Sequence, residues 1–213
     1  ALPVTLIVGY PRVVAGRIFN MAGVIADGQL VAEYAKQHLP NYQVFDEVRY
    51  FVPGDKVCVF DLKGIPTALT VCEDIWQSEP MLQAREAGAK LMLNLNASPF
   101  HQGKAREREQ LLEQRSREGN MPIIYTNMVG GQDELVFDGG SLVVNQTGKV
   151  CARAPAFEPA LLPVSIVQGA SGLELSQQSL APEPSNLAAV YQALVVGLRD
   201  YVQKNRFKGV VLG

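Results

Sequence analysis

IPTALTVCEDIW, residues 65–76, is the stretch on which the reading of this chain turns. Ile65 to Val71 is an apolar run that reads as a strand. It ends at Cys72, and the acidic pair Glu73–Asp74 follows at once, then Ile75 and Trp76. A residue at a sharp strand exit is presented to a pocket while its backbone stays fixed, which suits a nucleophile. A nearby cation or helix N-terminus would stabilise its thiolate. The same position also suits a small buried core cysteine, a common state for this residue type.

Outward from this strand, short β-rich runs alternate with helical ones. Downstream, residues 79–89 favour a helix that stops near Gly88, and LMLNLN (91–96) is a strand. Residues 102–118 are rich in Glu, Arg, Gln and Leu and predict a long exposed helix, followed by the strand MPIIYTNM (121–128). ELVFDGGSLVVNQTGKVCARA, from residue 134, reads as antiparallel strands with a turn at Asn145 to Gly148. Upstream, GQLVAEYAK (28–36) reads as a strand, and VTLIVGY (4–10) as a buried strand already in progress. The sum is an α/β body with strands of mixed direction.

Residues 168–184 are dominated by Gly, Ser, Gln and Pro and read as a linker. A helix is expected next, with Ser185 as N-cap and Leu187, Val190, Leu194, Leu198, Tyr201 and Val202 at helical spacing. GVVLG, from Gly209, reads as a strand opening a second α/β domain. The abrupt ends lead us to expect a segment of a longer protein, divided as 1–167, 168–184 and 185–213.

Bulk composition excludes several classes. The 213 residues are 47% hydrophobic and 19% charged, as in a packed soluble protein. A net charge of −2 gives no sign of a nucleic-acid or membrane binder, and no apolar run approaches a membrane span. Cys58, Cys72 and Cys151 lack metal-ligand spacing, and only His38 and His101 could join them, so no metal site is expected. Cys58 and Cys151 lie in apolar runs and read as buried hydrophobes. Gly-x-Ser-x-Gly, P-loop and Gly-x-Gly-x-x-Gly patterns are absent from the sequence.

A thiol nucleophile needs a base or a cation. His38 and His101 leave a Cys-His dyad open. Lys36, at the end of a strand, is the other candidate. Alone it suits solvent, but beside a thiol its ammonium would lower the thiol pKa and stabilise an oxyanion.

Four blocks, in order, are YAKQHLPNYQVFDEVRYF (34–51), TVCEDIW (70–76), NASPFHQGK (96–104) and YTNMVGGQDELVFDGGS (125–141). Together they resemble the glutaminase domain of glutamine-dependent NAD synthetases, within the nitrilase superfamily. The resemblance implies a nitrilase-like α-β-β-α sandwich, here lacking its N-terminal part. It also implies that residues 185–213 open a Rossmann-like ATP-pyrophosphatase domain with a linker at 168–184. It makes Cys72 the nucleophile that attacks the glutamine side-chain amide and Lys36 its partner. The third member of the family's Glu-Lys-Cys triad is expected upstream of this chain, because neither Asp27 nor Glu33 has a suitable context. Glu47 is expected to orient the lysine or to pair with Arg49 at the surface. Tyr42, Glu73, Trp76, Ser98 and Arg108 are expected to line the substrate site, with Arg108 gripping the glutamine carboxylate. Three of them have a plainer alternative: Tyr42 and Trp76 in the core, Arg108 on a solvated helix face. ATP and Mg2+ are implied only for the part beyond this chain, and no cofactor for this segment. A cytoplasmic homo-oligomer that takes glutamine is expected, with no nucleic-acid or membrane partner. A free-standing amidase of the same superfamily and a non-catalytic assembly module are the alternatives; the tail after residue 184 speaks against the first, and retention of Cys72 and Lys36 against the second.

Overall fold

The computed structural model of the protein describes residues 4–169, 172–176 and 179–213. Strands β1 (Leu6–Val14), β2 (Arg17–Ala26) and β3 (Gln29–Ala35) form an antiparallel sheet. Their two connections are two-residue turns at Ala15–Gly16 and Asp27–Gly28, all four residues at positive φ. That is the turn geometry whose twist matches the flanking strands, and glycine at the second position makes it accessible. VTLIVGY is a strand, as read, but not a buried one: Leu6 is 52% exposed and Val8 39%. It pairs with β2 alone and so forms an edge of the sheet.

A second, six-stranded sheet is built from β4 (Val59–Leu62), β5 (Ile65–Val71), β6 (Leu91–Asn96), β7 (Ile123–Asn127), β10 (Leu142–Val144) and β11 (Val150–Arg153). Between β7 and β10 lies the hairpin of β8 (Val129–Gln132) and β9 (Leu135–Asp138). The order in the large sheet is β11-β10-β7-β6-β5-β4, with β5, β6 and β7 parallel and the rest antiparallel. The mixed direction read from the sequence is therefore present. So is the Asn145 turn, where Gly148 N–H donates to Asn145 O at 2.9 Å.

The central strands are buried on both faces, which is why 65–71 and 91–96 read as apolar runs. Leu69, Val71, Leu91 and Leu93 pack against Ala22, Val24 and Tyr34 of the small sheet. Ala68, Met92, Ile123 and Tyr125 pack the other way, against Met81, Ala84 and Leu112. These last belong to helices α1 (Ser78–Glu86) and α2 (Lys104–Gly119). Burial of each large side chain here is worth about 1.5–3 kcal/mol. The described residues thus stack sheet on sheet on helices, three layers of the expected sandwich. Helix α2 is not the exposed helix expected for 102–118, because Arg108, Leu112, Arg115 and Ser116 are buried on its inner side.

The tail departs further from the sequence reading. Part of the expected linker is sheet, with β12 (Ile166–Gly169) paired to β13 (Gly172–Leu175) and Leu173 buried. Residues 170, 171, 177 and 178 of that stretch lie outside the described residues. Helix α3 (Asn186–Lys204) starts at the expected cap, where Ala188 N–H donates to Ser185 Oγ. Its inward side is Ala193, Val196 and Asp200, whereas Leu187, Leu194 and Leu198 are 81%, 68% and 60% exposed. The helix lies close on β8 because Gly131 has no side chain; a Cβ there would sit 3.1 Å from Gly197 Cα. Residues 209–213 form no strand and are exposed, so the expected start of a Rossmann-like domain is not seen in this chain.

Candidate active site

The parallel strands β5, β6 and β7 deliver Cys72, Ser98 and Asn127 at or just beyond their carboxyl ends, where open α/β sheets place their ligands. Cys72 stands at the abrupt end of β5. Its φ is +47°, a left-handed conformation that residues with a Cβ rarely adopt. It begins a short 3-10 turn, Cys72–Trp76, so the Glu73 N–H lies among the first donors of that turn, which find no partner within it.

Burial pushes the Cys72 thiol up. The Lys36 ammonium and the Ala97 N–H act against that, and Glu47 and Glu73 act with it. The expected effect of Lys36 is present in sign, but desolvation outweighs it. Lys36, rather than a histidine, is the cation acting on the thiol.

Lys36 is 1% exposed, which removes the solvated alternative. Its backbone is pinned on both sides, N–H to Asn20 O and Gly54 N–H to its own carbonyl, each at 2.8 Å. Its Nζ donates to Glu47 Oε1 at 2.6 Å. Glu47 therefore pairs with the lysine, while Arg49 pairs with Asp46 at 2.9 Å. The two upstream acids set aside above are elsewhere. Glu33 is held by Tyr10 and Arg12 on the small sheet, and Asp27 occupies a turn.

A cavity of about 200 Å³ opens over Cys72. The structure brings Tyr42, Glu73, Trp76 and Ser98 together in its lining. Tyr42 donates to Glu73 Oε2 at 2.8 Å, and burial together with that carboxylate raises the phenol. Tyr42 is 51% exposed, so it is not a core tyrosine.

Arg108 does not reach this cavity, contrary to expectation. It is 3% exposed, and its guanidinium is fully engaged. Nη1 donates to both carboxylate oxygens of Asp138 at 2.8 Å, Nε to Ser98 Oγ at 3.2 Å, and Nη2 to Ser98 O and Pro99 O at 2.9 Å. With no donor free, it cannot grip a substrate carboxylate. It holds the Ser98–Pro99 segment that forms one wall. Asn127 holds it too, accepting from Ser98 N–H at 2.9 Å.

Among the described residues the one Lys or Arg in the lining is Lys104, whose Nζ lies 3.8 Å from the Trp76 ring centroid. Sequence reasoning passed over it, although it closes the NASPFHQGK block. Its Nζ also meets the half-exposed Glu107 at 3.2 Å, an i,i+3 pair that water can replace. Chemically the cavity presents a thiol on a strained exit, with the Lys104 ammonium and the Glu73 carboxylate also in its lining, and the buried Lys36 ammonium acts electrostatically on that thiol from outside the lining.

The carbon–nitrogen hydrolase family model matches residues 2–172. The glutamine-dependent NAD(+) synthetase of Xylella fastidiosa (strain Temecula1) is 42% identical over 212 residues, which cover 99% of this chain and 39% of that protein. That of Acinetobacter baylyi is 40% identical over 203 residues, covering 93% and 36%. The structure of glutamine-dependent NAD+ synthetase from Acinetobacter baumannii in complex with adenosine diphosphate superposes with a TM-score of 0.92 at 36% identity, over 97% of this chain and 39% of that one. An amidase from Nesterenkonia superposes with a TM-score of 0.66 at 28% identity, over 75% and 60%. The chain spans about two fifths of the length of the curated relatives it matches. With the match running through both sheets and across Lys36, Cys72 and the strands that carry them, the chain belongs to the carbon–nitrogen hydrolase family.

Proposed function

We propose that this chain is the glutamine-hydrolysing part of an enzyme that makes NAD, amidating nicotinic acid adenine dinucleotide with ATP and the ammonia released from glutamine. The observation that carries the reading is the placement of Cys72 at φ +47° within the field of the buried Lys36 ammonium, which the partly buried Glu47 pairs, under a cavity of small-ligand size. The likeness to glutamine-dependent NAD synthetases supplies the substrate class.

In this reading the Cys72 sulfur adds to the side-chain amide carbon of glutamine. The Glu73 N–H and the Lys36 ammonium stabilise the oxyanion of the tetrahedral intermediate. The proton given up by the thiol ends on the amide nitrogen, the carbon–nitrogen bond breaks and ammonia leaves, so that a thioester remains at Cys72; water then adds its oxygen to the acyl carbon, the carbon–sulfur bond breaks, glutamate leaves and a proton returns to the thiol. Glu47 is committed to Lys36 and Glu73 to Tyr42, so neither is assigned as general base. At the mouth, Lys104 meets the α-carboxylate and Glu73 the α-ammonium of glutamine. Trp76 and Tyr42 form the walls. ATP and magnesium act on the synthetase part of such an enzyme, and no step there is assigned to this chain. A cytoplasmic homo-oligomer is part of the proposal.

Cys72→Ala in the full-length protein tests it. NAD formation with glutamine is expected to stop, while formation with ammonium salts continues. A variant that still uses glutamine at the wild-type rate would overturn the assignment. Hydrolysis of other small amides without any ATP-dependent product would favour a free-standing amidase.

A further inference from the structure

Asp74 is 0% exposed and sits two residues after Cys72. Its carboxylate accepts four hydrogen bonds. Oδ1 takes Gln37 N–H at 3.1 Å and His38 N–H at 2.8 Å; Oδ2 takes Val71 N–H at 3.0 Å and Tyr34 OH at 2.9 Å. Val71 directly precedes Cys72, and Gln37 and His38 directly follow Lys36. One side chain therefore joins the two backbone segments that carry the thiol and the ammonium. These segments belong to different sheets and share no strand pairing. Burial pushes the Asp74 carboxyl up, and the donors from His38, Val71 and Tyr34 pull against it.

A buried carboxylate without a hydrogen-bonded cation is a costly way to fill space. What it provides is geometry. Four donors from three directions fix it, and the left-handed Cys72 needs surroundings that over-determine it. We infer that Asp74 is a positioning residue that sets the alignment of Cys72 with Lys36 by clamping the end of β5 to the end of β3. The inference rests on the glutamine hydrolysis proposed above.

Asp74→Asn is the informative variant. Its one oxygen can keep the Gln37 and His38 donors, and its amide can turn the Tyr34 hydroxyl into an acceptor. The Val71 N–H then faces another donor, so the clamp loosens on the Cys72 side. In the full-length protein, with active sites counted by titration of Cys72, kcat for glutamine per titrated site is expected to fall at least about 10-fold. KM stays within about 2-fold of wild type. A variant with normal kcat per site but a lower unfolding temperature would make Asp74 a merely structural residue and overturn the inference. Should Asp74→Asn fail to fold, Tyr34→Phe decides; it frees one lone pair of Oδ2. A loss in kcat of about 3-fold with KM unchanged supports the clamp, and full kcat overturns it. The rate of Cys72 alkylation by iodoacetamide is the second readout. If wild-type protein does not hydrolyse glutamine, the proposed function fails, yet a change of about 5-fold or more in this rate in Asp74→Asn still supports the clamp and an unchanged rate still overturns it.

Discussion

Replacing Arg108 with Leu removes the partner of a carboxylate that has almost no access to water. Arg108 and Asp138 are 3% and 4% exposed. After the substitution the amide of Asn127, at 3.5 Å, is the one side-chain donor left to Asp138 among the described residues. Ser98 O retains the same amide at 3.4 Å, a weak contact, and Pro99 O loses its arginine donor. Breaking a buried pair from one side costs about 3–5 kcal/mol. For a domain of this size about 4 kcal/mol corresponds to a fall in Tm of roughly 8–16 °C. Thermal unfolding of the full-length protein, followed through the transition of this domain, measures it. The double variant Arg108→Leu with Asp138→Leu removes the stranded charge, and more than half of the loss is expected to return. A single variant that costs less than about 1 kcal/mol would refute the reasoning, because a pair worth so little behaves like one at the surface.

Three further outcomes follow from the site. Since burial raises the Cys72 thiol, its alkylation by iodoacetamide in the absence of glutamine should accelerate with pH and inflect above the ordinary thiol value of about 8.5. Lys36→Met removes the ammonium that acts in the opposite direction, so the inflection moves higher still and labelling at pH 8 slows; a shift to lower pH would contradict the electrostatics described. Lys104→Met should raise KM for glutamine about 10- to 100-fold with a much smaller change in kcat, since it deletes a charge-assisted contact remote from the amide. Steady-state glutaminase kinetics check it, and an unchanged KM would remove Lys104 from the substrate contacts.

How much of this was legible beforehand differs by element. Strands buried on both faces, such as 65–71 and 91–96, announce themselves as continuous apolar runs, and the turn at Asn145 by its residue types. The Cys72 exit was legible because a mostly apolar strand stops at a cysteine and an acidic pair follows at once. Exposure was harder. β1 is apolar and yet an edge strand, since burial depends on which neighbours arrive, and the sequence of a strand does not contain them. The same holds for α3, where small residues, Ala193 and Gly197, mark the face that docks, while leucines at helical spacing point outward. Arg108 misled for a chemical reason. An arginine near a site offers a substrate the same donors that it offers a buried aspartate, and Asp138 lies 30 residues away in sequence. Lys104 and Asp74 were in quoted blocks but overshadowed by neighbours with more familiar chemistry.

The central claim is that Cys72 attacks glutamine, and covalent labelling tests it most directly. The full-length protein is exposed to a diazo-ketone that mimics glutamine, with and without excess glutamine, and the adduct is located by mass spectrometry. A single adduct on Cys72 that glutamine prevents is the result expected. An unlabelled Cys72, or labelling that glutamine leaves unchanged, would contradict the account.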